Sequence, residues 1–219
     1  MSKEINDIEW WHRIQLKDGS YTPGRVWHGE DGGDWPTTRF GLPASCEGLS
    51  VLDIGAWDGF FSFEAEKRGA SEVQAVDTFQ GRDPVTAIDG FDYAWHNLGS
   101  KVMYGYANIE NDPYALGNIR YDLVLLFGVL YHSENPMRIL RNVWKNVKPG
   151  GTLLIETTVA DGDGFAIEIR DGYDGDQTNF TYFTRLGMIL ALKRIGFVDI
   201  ELFYDMGVRA TFRCKRPNV

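Results

Sequence analysis

The residues whose types and spacing invite chemistry begin with a ten-residue run, Val51-Leu52-Asp53-Ile54-Gly55-Ala56-Trp57-Asp58-Gly59-Phe60. A buried strand carrying Asp53 leads into a turn bracketed by Gly55 and Gly59, and a helix start follows. That order places backbone N–H groups and an acid beside a bound nucleotide. A second apolar run, Val73-Gln74-Ala75-Val76, ends on Asp77, where a carboxylate can accept hydrogen bonds from ribose hydroxyls. His132 follows the clearest strand pattern, Asp122–Phe127, and an imidazole there suits a general base near neutral pH. The competing reading is a structural histidine bonded to a loop carbonyl, and the functional one is preferred. His12 and His28 are alternative bases, and His96 reads as a helix-surface residue.

The turn itself discriminates between nucleotides. A dinucleotide fold wants Gly-x-Gly-x-x-Gly, so that backbone and helix N-terminus can approach a pyrophosphate. Here Trp57 stands at the second glycine, and Asp58 adds negative charge at the helix start. S-adenosylmethionine has no phosphate, and acids suit its ammonium and ribose hydroxyls. The turn therefore favours the sulfonium cofactor over NAD. Trp57 could face the sulfonium through cation–π attraction or pack on the following helix. No metal is expected. Cys46 and Cys214 have no ligand spacing, and the acids from Asp161 to Asp176, set among glycines, lack the glutamate of a calcium loop. That stretch reads as a flexible loop facing the substrate.

The elements that must position these groups alternate. Strands are expected at Val51–Ile54, Val73–Asp77, Lys101–Tyr106, Asp122–Phe127, Thr152–Glu156, Val198–Phe203 and Arg209–Cys214. Helices are expected at Phe60–Arg68, at Asp83–Leu98 with a break near Gly90, after Pro136, and at Thr184–Ile195. Pro149-Gly150-Gly151 reads as a hard stop, and Arg213, Lys215 and Arg216 as a solvated tail. The alternation predicts an α/β, Rossmann-like fold with a mostly parallel seven-stranded sheet and an antiparallel C-terminal strand, binding its ligand beyond the strands' carboxyl ends. Residues 1–48 carry Trp10, Trp11, Trp27 and Trp35 among glycines and prolines. They read as a short helix near Asp7–Arg13 and then a loop-rich cap, either a cover for the core or a lid; residues 49–219 form the main domain.

Bulk properties narrow the partners. A formal charge of −9 disfavours nucleic acid, whose binders carry basic faces, and favours a small molecule. No apolar run suggests a membrane span, the first residues lack a signal core, and two scattered cysteines suit a reduced, cytoplasmic setting.

The run around Gly55 resembles the cofactor loop of class I S-adenosylmethionine-dependent methyltransferases. Asp77 matches that class's ribose-binding acid, and Lys148-Pro149-Gly150-Gly151-Thr152-Leu153 its usual entry into the fifth strand. From Val51 onward a closer resemblance holds. Gly128-Val129-Leu130-Tyr131-His132, Ile155-Glu156-Thr157-Thr158-Val159-Ala160-Asp161-Gly162-Asp163 and Gly196-Phe197-Val198-Asp199-Ile200 together resemble the bacterial tRNA wobble-uridine (5-hydroxyuridine) carboxymethyltransferases. The resemblance implies alkylation of a uridine 5-hydroxyl with carboxy-S-adenosylmethionine. Its cofactor contacts would fall on Gly55, Asp77, Thr78, Ile109, Glu110, Phe127 and Tyr131, with Arg209 matching a carboxylate-binding arginine and Lys17 a companion lysine. Two departures stand out: Trp57 in the glycine-rich loop, and only about 48 residues before the first strand, where that family has a long helical extension.

The reading that follows is an S-adenosylmethionine-dependent methyltransferase acting on a small-molecule hydroxyl, with His132 as base and Asp53, Gly55, Trp57, Asp77, Thr78, Ile109, Glu110, Phe127, Tyr131 and Arg209 around the cofactor. Two alternatives stay open: a tRNA wobble-uridine methyl- or carboxymethyltransferase using the carboxylated cofactor, and a non-catalytic cofactor-binding partner protein.

Overall fold

A computed structural model describes residues 4–29, 35–78, 88–112, 114–172 and 176–218. The chain divides into two compact units, Met1–Tyr106 and Ala107–Val219.

The first unit winds three parallel strands, β1 (Ser50–Ile54), β2 (Glu72–Asp77) and β3 (Met103–Tyr106), in the order β3-β2-β1. Helix α1 (Phe60–Lys67) joins β1 to β2, and α2 (Asp89–Leu98) precedes β3. Gly90 does not break α2 as expected. It lies in the first turn, where its missing side chain lets the helix pack against Asp58, Ile8 and Trp10. The part of that expected helix before residue 88 lies outside the described residues.

The expected helix near Asp7–Arg13 is also corrected. Only Ile5–Asp7 makes a 3-10 turn. Beyond it, Ile8, Trp10, His12, Ile14 and Leu16 are buried while the residues between them are exposed, the period-2 pattern of extended chain. This segment folds back on itself, with the N–H of Thr22 donating to the carbonyl of Ile14 at 2.9 Å and that of Arg13 to Val26 at 2.9 Å.

The second unit holds six strands. β4 (Tyr121–Phe127) and β5 (Val147–Ala160) are parallel, and β5 also runs parallel to β7 (Thr181–Thr184), which pairs antiparallel with β6 (Ile167–Ile169). β9 (Arg209–Lys215) lies antiparallel between β5 and β8 (Val198–Asp205). Helix α3 (Pro136–Asn146) carries proline at its first turn, and α4 (Arg185–Ile195) is capped by Thr184, whose hydroxyl accepts the N–H of Gly187 at 3.0 Å. Mixed α/β alternation is as expected, but the described residues hold nine strands rather than seven. The additional two, β6 and β7, arise in and just after the acidic stretch read as a loop.

Two further expectations are corrected here. Pro149-Gly150-Gly151 does not stop the chain. α3 passes directly into β5, and Gly150 and Gly151 exchange backbone hydrogen bonds with Arg216 at 2.9 and 3.0 Å. Arg216 is not a solvated tail residue. Its guanidinium lies on the Trp144 ring and donates to the carbonyls of Trp144, Lys145 and Val147. It thereby satisfies the orphan acceptors at the C-terminal end of α3.

Candidate active site

In the first unit the chemistry collects at the carboxyl ends of β1 and β2. Gly55, Trp57 and Gly59 alternate through the turn with φ of 78°, 49° and 87°. The tryptophan thus keeps the left-handed backbone that glycine would adopt freely, at a cost of roughly 1–2 kcal/mol. Its N–H donates to Asp77 Oδ2 at 2.9 Å, which ties the turn to the end of β2. Gly59 has no such latitude: a side chain there would run into the rings of Phe63 and Phe91. Asp77 is half-buried, and Thr78 Oγ1 lies 3.5 Å from its second oxygen. A carboxylate so placed offers acceptors to a diol.

Asp53 lies deeper, 2% exposed, with the Ser62 hydroxyl donating to it at 2.6 Å. Burial raises its pKa to about 6; the Ser62 bond opposes that rise, and Asp77 adds to it. Asp53 is therefore an internal group of the strand–helix junction rather than an open ligand.

Asp58 is buried too, but fully engaged. One oxygen accepts the N–H groups of Trp11 and His12 at 3.0 and 2.7 Å, and the other accepts the ring Nδ1 of His12. The N-terminal segment is thus fastened to the turn by a single carboxylate. The His12 ring packs 5.0 Å from His28, which stacks on Phe60 at 4.4 Å. His28 Nδ1 donates to the Trp35 carbonyl, and its Nε2 is buried without a hydrogen-bond partner among the described residues. Burial, reinforced by His12, lowers the pKa of His28 to about 3, so this ring stays neutral. Lys17 is not brought to this end. Its Nζ lies beside Gly99, at the C-terminal end of α2 where the chain enters β3.

In the second unit the sequence-predicted residues gather after β4. Phe127 ends the strand, Gly128 turns with φ of 70°, and Leu130–His132 forms a 3-10 turn. Tyr131 is buried with its ring against the Arg209 guanidinium, which donates to the phenolic oxygen at 3.1 Å. Arg209 also forks onto Glu156, with Nη2 donating to Oε2 at 2.8 Å and Nε to Oε1. Burial disfavours the charge on Arg209, but attraction and hydrogen bonds from Glu156 outweigh it, and the guanidinium is held more firmly protonated than usual. Burial raises the Tyr131 pKa. The Glu156–Arg209 pair was not foreseen, although a glutamate and an arginine set in facing, mostly buried strands must find a partner.

His132 is exposed, and its Nδ1 lies 2.9 Å from the Thr178 carbonyl. A carbonyl only accepts, so Nδ1 carries the proton, and Nε2 is the basic nitrogen of a neutral ring. Glu110 accepts the backbone N–H of Asn135 at 2.7 Å and its side-chain amide at 3.0 Å, which anchors the start of α3. Ile109 is buried, and its carbonyl accepts the Asn142 amide at 2.8 Å. Among the described residues no group of three metal-ligating side chains occurs. No helix among them is long and apolar enough to cross a membrane.

Comparisons with known proteins give this arrangement a context. A family described as a methyltransferase domain matches residues 36–202. A tRNA U34 carboxymethyltransferase of Alteromonas mediterranea is 27% identical over 178 residues, 77% of this chain and 51% of the relative. One of Campylobacter hominis is 32% identical over 53% of this chain and 39% of its own length. The chain thus spans about half the length, or less, of these curated relatives. Among solved structures, the N-terminal domain of EvdMO1 with SAH bound aligns with a TM-score of 0.71 at 20% identity, covering 97% of this chain and 94% of that one. An S-adenosylmethionine-dependent methyltransferase from Mesorhizobium loti aligns at 0.65 and 20% identity, over 86% of this chain and 100% of that one. The parallel strands, the glycine turn and the antiparallel closing strands are those of a Rossmann-like methyltransferase fold, and the chain belongs to the methyltransferase-domain family.

Proposed function

We propose that this chain transfers a methyl group from S-adenosylmethionine to a hydroxyl of a small molecule. The donor set in the first unit fits that cofactor. Asp77 offers a carboxylate to ribose hydroxyls, while the buried Asp58 at the start of α1 would oppose a pyrophosphate. When bound, the cofactor supplies an electrophilic methyl group on a sulfonium. The protein's part is to hold the acceptor oxygen in line and to take its proton. We assign proton acceptance to His132 Nε2, oriented by the Nδ1 bond to Thr178.

The observation that carries the choice of plain over carboxylated cofactor is the pairing of Arg209. Its guanidinium is already compensated by the two oxygens of Glu156, so an added carboxylate would compete with a buried partner. The second reading, a tRNA wobble-uridine carboxymethyltransferase, is favoured by the names of the sequence relatives. The charge of −9 counsels against it.

Mass spectrometry of ligand co-purifying with the protein tests the assignment. S-adenosylmethionine or its demethylated product is expected, whereas the carboxylated form would move the assignment to the second reading. In a methyl-transfer assay, His132→Ala should lower turnover by about 10²–10⁴-fold with cofactor affinity retained.

A further inference from the structure

A cleft of about 400 Å³ in the second unit lies between the start of α3 and the β6–β7 hairpin. One wall presents Arg138 and Arg141, one helical turn apart on α3 and both exposed. The other presents Ile167 and Ile169, alternate residues of β6 that are 47% and 72% exposed. Thr181 closes one side, and its hydroxyl donates at 2.7 Å to the carbonyl of Ser133, the residue after His132.

Arg170, Arg185, Arg209 and Arg213 each pair with an acid of the same unit, while the exposed Arg120 and Arg194 have none in ion-pair contact among the described residues. Arg138 and Arg141 face the cleft with no acid in ion-pair contact among the described residues, in a chain whose acids outnumber its bases by 31 to 22. The isoleucines opposite are apolar side chains left in water on one face of β6. A surface with adjacent guanidinia on one wall and branched apolar groups on the other suits an amphipathic anion.

We propose that this cleft binds a small molecule carrying one phosphate or carboxylate on an apolar or aromatic body. Arg138 and Arg141 hold the anionic group, and Ile167, Ile169 and Met137 cover the body. Glu134, on the same rim, limits the charge that can be accommodated. The two guanidinia make the cleft a locally positive spot on a chain of net charge −9, which draws an anionic group to it.

Calorimetric titration with phenyl phosphate, inorganic phosphate and a short RNA stem-loop tests this, using the full chain. Wild type should bind phenyl phosphate at least tenfold more tightly than inorganic phosphate. R138Q/R141Q should lose at least tenfold of that affinity, and I167S/I169S should lose the preference for the phenyl group. Both variants change exposed residues and should retain the wild-type melting temperature and affinity for S-adenosylhomocysteine. Equal phenyl phosphate binding by wild type and R138Q/R141Q would overturn the site. So would no binding by wild type, or tight stem-loop binding that depends on the two arginines. Arginine-dependent phenyl phosphate binding without any affinity for S-adenosylhomocysteine would uphold the cleft and sink the methyl-transfer reading instead.

Discussion

Each unit buries a carboxylate within its sheet, and the two are treated differently. Asp53 in β1 has a hydroxyl from Ser62 and, among the described residues, no cation within bonding distance, and desolvation raises its pKa to about 6. Glu156 in β5 has a guanidinium laid across both oxygens, with Tyr131 behind it. A lone buried acid adjusts by holding its proton, whereas a paired one depends on its partner for its place in the core. The first arrangement makes stability sensitive to pH. The second makes it sensitive to mutation.

The largest effect should therefore come from the second unit. Arg209→Ala strands a buried carboxylate and removes a ring contact, and should cost about 3–5 kcal/mol in urea unfolding. A loss below about 1 kcal/mol would mean that Glu156 is not held by Arg209. Next is Asp58→Ala, which takes the acceptor from two backbone N–H groups and the His12 ring. It should cost about 2–3 kcal/mol and raise protease sensitivity within the N-terminal segment before the rest of the chain.

The pH predictions sharpen the contrast inside the first unit. Folded Asp53 binds its proton more tightly than the unfolded chain does, so it stabilises the fold at low pH. That contribution is lost as pH rises from near 4 through about 6. His28 works in the opposite sense. Its folded pKa of about 3 lies below the ordinary 6.5, so stability falls as pH drops from about 6.5 toward 3. Asp53→Asn should remove the first slope and His28→Phe the second, in thermal melts run across pH 3 to 8. Smallest is Trp57→Gly, which should change stability by about 1 kcal/mol or less, since backbone strain relieved offsets packing lost. A distinct loss of cofactor affinity in that variant would assign the indole to the ligand.

How much of this was legible in the sequence follows from periodicity and covalent geometry. The strand–turn–helix at Asp53 and the continuous apolar run of β4 are local patterns, and the structure reproduces their positions. The glycine signature was harder to read, because Trp57 keeps the backbone while changing the letter. The N-terminal segment carried a readable alternation from Ile8 to Leu16, masked by its density of aromatics and short turns. β6 was missed because three residues cannot display a period, and its apolar face is exposed. The pairings Asp58–His12 and Glu156–Arg209 join residues 46 and 53 positions apart. No local pattern encodes such contacts, although a buried charge in either place required some partner. Arg216 belongs with them, since three carbonyls at a helix end turned an apparent surface residue into a cap.

The most direct test of the central claim is calorimetric titration of the intact chain with S-adenosylmethionine, carboxy-S-adenosylmethionine and NAD. The account predicts that S-adenosylmethionine binds at least as tightly as its carboxylated form, that Asp77→Ala loses tenfold or more, and that NAD does not bind. Tighter binding of the carboxylated cofactor, with the preference abolished in Arg209→Ala, would contradict it.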